Sequence, residues 1–250
     1  MCHSEEAQFV ATEESQDKTD RDPSAEFTLE CNEGSQDDIL HFEVKIMKKQ
    51  VEIISHEIPY QGYFRIEKYK LRHELFAGGW TEPMEREVFE RGQAAAVLPY
   101  DPKLNKVILI EQFRIGAMQD EASPWLLEIV AGIIDKGETP EEVCVREAEE
   151  EAGLKIEQLL PITRYWVSPG GCAEHFDLFC GEVDASHAGG IHGLDHEHED
   201  IKVHVVDVEQ AFSMVRSGLI KNPPAIIALQ WLELKLLRSE VRFPPNGVRS

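Results

Sequence analysis

Apolar and polar residues alternate along VEIISHEI (51–58) and YFRIEKYKLRHELF (63–76), a period of two that predicts strands. AGGW (77–80) supplies a turn, and the next segment ends at REVFERG (86–92). Beyond it the pattern changes. AAAVLPY (94–100), KVILIEQFR (106–114) and WLLEIVAGII (125–134) are nearly continuous apolar runs, as in strands covered on both faces. ITRYWVS (162–168), HFDLFCGEV (175–183) and IKVHVVDV (201–208) continue that sheet, and VEQAFSMVRSG (208–218) and PAIIALQWLELKLLRS (224–239) read as closing helices. No internal repeat is present. The order predicts an α+β chain in four parts. These are an acidic extension (1–38) expected to stay disordered, a small N-terminal β subdomain (39–91), a main domain (92–240) and a short tail (241–250).

One helix can be derived from local chemistry alone. Thr139 is a good N-cap, Pro140 suits the first helical position, and Glu142 completes a capping box with Thr139. Gly153 suits the left-handed residue that ends a helix. Between them Cys144, Val145, Ala148 and Ala152 form an apolar arc. Glu147, Glu150 and Glu151, spaced i, i+3 and i+4, share a neighbouring face. Like charges so placed cost about 0.2–0.5 kcal/mol per pair unless something neutralises them. Arg146 can tether part of that charge, and no Lys follows in the helix. Oxygen-only ligation of this kind suits Mg²⁺, with Mn²⁺ as a substitute, and argues against a dedicated Zn²⁺ site.

Composition narrows the partners. The net charge is −22, and residues 1–40, with twelve acidic and two basic side chains, carry −10 of it. That balance disfavours nucleic acid and anionic membranes, but not a small phosphorylated ligand, because Arg and Mg²⁺ set the field inside a pocket. The five cysteines show no Cys-x-x-Cys pair and read as reduced thiols of a cytoplasmic protein. No signal peptide and no run of about eighteen apolar residues is visible.

Residues 132–154, GIIDKGETPEEVCVREAEEEAGL, resemble the signature of the Nudix hydrolases: Gly132, Glu138, then Arg146-Glu147, Glu150-Glu151 and Gly153 in register. Ala148 fills the first aliphatic place of that signature. The resemblance implies an α/β/α sandwich with a mixed sheet, preceded by the small β subdomain, and hydrolysis of a nucleoside diphosphate linked to another group. WVSPGGCAE (166–174), GIHGLDHEHEDIKVHVV (190–206) and AIIALQWLELK (225–235) are similar to the ADP-ribose-hydrolysing branch of the family; Cys172 departs from its usual Thr. ADP-ribose is then the implied substrate, with AMP and ribose 5-phosphate as products. Another nucleoside diphosphate sugar, NADH, or a non-catalytic ADP-ribose sensor are the alternatives.

The resemblance also implies roles. Glu147, Glu150, Glu151, Glu199 and the carbonyl of Ala131 would hold Mg²⁺, and Glu197 and Glu150 would be catalytic, with Glu197 as base. Tyr63, Phe64, Arg86, Glu87, Arg91, Arg114, Ile133, Ser168, Pro169, Gly170 and Glu174 would contact the substrate. A homodimer sharing its active site is implied as well. By their residues alone, Arg86, Arg91 and Arg114 read equally as structural ion pairs with Glu85, Glu87, Glu90 or Glu111. His187, His192, His196 and His198 could chelate a transition metal.

Overall fold

The computed structural model describes residues 48–243; the acidic extension, the first part of the β subdomain up to residue 47, and the tail beyond 243 lie outside the described residues. Two compact units emerge, one holding residues 48–56 with 69–86 and the other residues 57–68 with 87–243. The alternating N-terminal segments form β1 (Val51–Gln61), β2 (Arg65–His73) and β3 (Met84–Glu90), a three-stranded sheet in that order.

The larger unit is built on an eight-stranded sheet. Its path runs β10 (Gly190–His192), β11 (Ile201–Asp207), β5 (Lys106–Phe113), β4 (Ala94–Asp101), β9 (His175–Glu182), β8 (Gln158–Trp166). The β4–β9 pair is parallel and the other neighbours are antiparallel, so the sheet is mixed. Alternation along the central strands divides the core into two layers. Ala96, Leu98, Val107 and Leu109 pack with residues of α2 (Val208–Arg216) and α3 (Pro223–Leu237). Ala95, Val97, Ile108 and Ile110 pack with Val143, Cys144, Ala148 and Ala152 of α1 (Pro140–Ala152). Helices therefore cover both faces, which is why β4 is buried along its whole length.

The run 125–134 reads as one strand from its hydrophobicity but forms two, β6 (Trp125–Glu128) and β7 (Val130–Ile133). The first pairs with β5 and the second with β4. Both are buried in part, so polarity carries no mark of the change of partner at Ile129. The break has a structural use. β4 and β5 pair directly only at Tyr100↔Val107 and Asp101↔Lys106. At their other ends they diverge, and β6 and β7 fill the opening.

The closed end is fixed by one carboxylate. Asp101 is buried; its Oδ1 accepts from the Lys103 and Leu104 N–H groups at 2.9 and 3.0 Å, and its Oδ2 from the Ala185 N–H at 2.9 Å. Asp101→Ala would leave three backbone donors without this acceptor, at about 1–3 kcal/mol for each that stays buried. Urea unfolding is expected to show a loss of at least about 2 kcal/mol for Asp101→Ala, with Asp101→Asn milder because one acceptor oxygen remains.

Candidate active site

At the open end, α1 lies against β7. Its ends are as the sequence predicts. Thr139 and Glu142 form a reciprocal capping box, and Gly153 stops the helix at φ 63°. Gly132 permits the contact between helix and strand, because a Cβ there would overlap the Glu147 carboxylate. Glu151 is buried, with Oε2 accepting from the Ala131 N–H at 3.0 Å and Oε1 at 3.5 Å from Gln112 Nε2.

Arg146 organises the remaining acids. It grips both oxygens of Glu138, at 3.0 and 3.2 Å, while Nη1 reaches Glu147 Oε1 at 2.8 Å and Glu150 Oε2 at 3.1 Å. Glu138, itself held by the Asp135 N–H, anchors the loop; Arg146 holds its carboxyl below the usual range. Burial pushes Glu147 up to about 7 and Glu151 up to about 8, with neighbouring carboxylates adding to the rise and Arg146 and the Ala131 N–H respectively opposing it. Among the described residues no three His, Cys, Asp or Glu side chains form a metal-ligand cluster. Arg146 stands between Glu147 and Glu150, and His192 Nε2 meets the Gly189 carbonyl at 2.9 Å. The donor chemistry still fits a hard cation: buried carboxylates with raised proton affinity, beside a strand backbone, with one guanidinium for three of them.

These groups line a cleft of about 670 Å³. From the sequence-derived candidates it collects Ala131, Ile133, Glu147, Glu150, Glu151, Glu197, Glu199, Tyr63, Phe64, Arg91, Arg114 and Glu174. Glu197 is exposed on a 3-10 turn (Asp195–Glu197), and Glu199 Oε2 accepts from the Leu194 N–H at 3.1 Å. Arg91 Nε lies 3.2 Å from Glu174, and its guanidinium lies over the Phe64 ring at 5.2 Å. Arg114 donates twice to buried Glu128, at 2.7 and 3.1 Å. The acidic partners of Arg91 and Arg114 are thus cleft residues, not the nearby acids that sequence proximity suggests.

Five candidates are not in the lining. Arg86 belongs to the smaller unit and donates to the Glu85 carbonyl. Glu87 is exposed. Ser168, Pro169 and Gly170 are exposed in a loop whose far side is pinned to Phe89 by bonds from Phe89 N–H to the Gly171 carbonyl and from Ala173 N–H to the Phe89 carbonyl. Sequence reasoning missed Glu128, Asn222, Tyr165 and Phe176, which also line the cleft. Asn222 Nδ2 donates to Glu128 at 3.0 Å while Oδ1 caps α3. Its position before Pro223-Pro224 marks a cap, but not the second contact.

Residues 90–237 match the NUDIX domain. The chain belongs to the Nudix family. Its similarity to curated Nudix relatives is extensive. It is 51% identical over 187 residues to the ADP-ribose pyrophosphatase of Escherichia coli (strain K12), covering 75% of this chain and 90% of that protein. With the ADP-ribose pyrophosphatase of Haemophilus influenzae it shares 48% identity over 200 residues, 79% of this chain and 90% of the relative. A GDP-mannose pyrophosphatase of Cronobacter sakazakii is 34% identical over 197 residues, covering 76% and 98%. Among solved structures, an ADP compounds hydrolase superimposes with TM-score 0.59 at 19% identity, covering 79% of this chain and all of that one, which supports the Nudix fold.

The raised carboxyls make metal-free stability depend on pH. Their ordinary value is 4.5, so the folded Nudix domain holds more protons than the unfolded chain from about pH 4.5 to 8. Stability contributed by Glu147 and Glu151 therefore falls as pH rises through that window. Thermal melts in EDTA are expected to show the wild type losing Tm from pH 6 to pH 8 more steeply than Glu151→Gln. Added Mg²⁺ is expected to restore the wild type at pH 8 and leave the variant unchanged.

Proposed function

We propose that the chain hydrolyses the diphosphate linkage of ADP-ribose, giving AMP and ribose 5-phosphate, with Mg²⁺ as its cation. The observation that carries this reading is the seating of Glu147, Glu150 and Glu151 beside Ala131 in a cleft that also holds Arg91 and Arg114. The two relatives at about half identity, both named for ADP-ribose, favour that substrate. Nudix hydrolases generally use divalent metals. Glu147, Glu150, Glu151 and the Ala131 carbonyl would hold Mg²⁺ here, with Glu199 approaching from the opposite loop. Once bound, the cation offsets phosphate charge and lowers the pKa of its water.

The chain's own groups do the rest. Arg114, oriented by Glu128, turns its unused N–H donors toward phosphate oxygens, a task for which the planar guanidinium is suited. Arg91, backed by Glu174 and Phe64, adds a second positive wall. Glu197 takes the proton of the attacking water, because the box carboxylates are committed to the cation and Arg146. Tyr63 and Phe64, in edge contact at 4.7 Å, offer an aromatic surface to the adenine.

Two further readings belong with this one. Among the described residues Cys144, Cys172 and Cys180 are free thiols, which suits a reducing cytoplasm, and no described helix is long and apolar enough to cross a membrane. A homodimer is supported by β1, which among the described residues is an edge strand exposed along its length and presents Val51, Ile53, Ile54, Ile58 and Tyr60. An unprotected apolar edge of this kind invites pairing with another chain.

With Mg²⁺ present, ADP-ribose is expected to yield AMP faster than GDP-mannose yields GMP; the reverse preference, measured by product chromatography, would overturn the substrate assignment. Glu147→Gln and Glu151→Gln are expected to abolish turnover with the fold retained by circular dichroism. Glu197→Gln is expected to lower kcat by about 10²–10⁴ while binding of ADP-ribose is nearly unchanged. Sedimentation is expected to give a dimer that the double substitution Ile53→Lys, Ile58→Lys converts to monomer.

A further inference from the structure

One transverse row of residues crosses four strands of the large sheet. Ile133 on β7 is opposite Ala94 on β4, Ala94 is opposite Phe176 on β9, and Phe176 is opposite Tyr165 on β8. All four line the cleft. At about 4.8 Å per strand the row extends roughly 14 Å from the strand that carries Ala131. The Tyr165 and Phe176 rings stack at its end, with centroids 5.8 Å apart and 11° between planes.

Tyr165 Oη is buried at this end without a hydrogen-bond partner among the described residues, and beside it Glu174 Oε1 lies in an ion pair, 3.2 Å from Arg91 Nε. A partnerless phenol shut away from water is costly, and native structures rarely keep one without use. Burial raises the Tyr165 pKa, and the charge of Glu174 raises it further, so the phenol remains a donor at neutral pH. Glu174, whose one cationic neighbour is Arg91 among the groups acting on it, supplies the acceptor.

We propose that Tyr165 is a specificity-determining residue of this site, its hydroxyl donating to one of two vicinal sugar hydroxyls while Glu174 accepts from that pair. A diol suits this setting because each hydroxyl both donates and accepts. The stacked rings give the sugar an apolar floor, and the row sets it three strand positions away from the strand that carries Ala131, within the same cleft. The inference rests on the proposed hydrolysis of ADP-ribose and adds the contact that distinguishes sugar from unsubstituted diphosphate. ADP-ribose carries two such diols, on either side of the diphosphate.

Tyr165→Phe removes the hydroxyl and keeps the ring. Its KM for ADP-ribose is expected to rise about tenfold, with kcat within about twofold and an unchanged melting temperature. Inhibition constants for ADP and for ADP analogues lacking the 2′- or 3′-hydroxyl assign the partner. If Tyr165→Phe leaves ADP binding unchanged, the phenol reads the terminal ribose. If it weakens ADP but not one deoxy analogue, the phenol reads the adenosine ribose. An unaltered KM, or equal weakening of ADP and both deoxy analogues, would overturn the proposal while hydrolysis of ADP-ribose by the wild type stands. No hydrolysis of ADP-ribose by the wild type would instead remove the reading on which the proposal rests.

Discussion

A helix bearing buried acids can sit directly on a strand only where the strand offers no side chain. Gly132 meets that constraint, and much of the site follows from it. With no Cβ in the way, Glu147 lies over β7, Glu151 reaches the Ala131 N–H, and the chain's own backbone compensates part of a buried carboxylate. The divergence of β4 from β5 makes room for β7 at that point. The local pattern of glycine and acids and the long-range pairing of strands are therefore two aspects of one arrangement.

Arg146 shows how such a face remains folded. Four hydrogen bonds tie its guanidinium to three carboxylates at once. Its grip on Glu138 fixes the loop before α1, and its remaining contacts draw Glu147 and Glu150 together. A surface ion pair adds little by itself. A shared cation among partly buried acids is different, because removing it would leave several like charges facing one another in a low-dielectric setting.

Much of this was legible in the chain. The limits of α1 followed from Thr139, Pro140, Glu142 and Gly153, whose preferences are backbone preferences that act locally. The central strands were visible because burial on both faces demands unbroken apolar runs. The split of 125–134 into β6 and β7 was not visible, since a buried strand that changes partners keeps the same polarity. Glu128, Asn222 and Tyr165 were missed for a related reason. Their neighbours are distant in sequence: Asn222 meets Glu128 across 94 positions, and Tyr165 joins the cleft only through the pairing of β8 with β9. Periodicity reports which face a residue occupies, not which remote group it will meet there.

The double duty of Asn222 bears on the order in which the molecule matures. One end of its amide starts α3; the other steadies the acid that aims Arg114. Loop closure over such a distance belongs to the late, non-local stage of folding. The Asn222–Glu128 bond exists only where the final helix is docked, so the hold on the Arg114 guanidinium depends on tertiary packing and not on its strand alone.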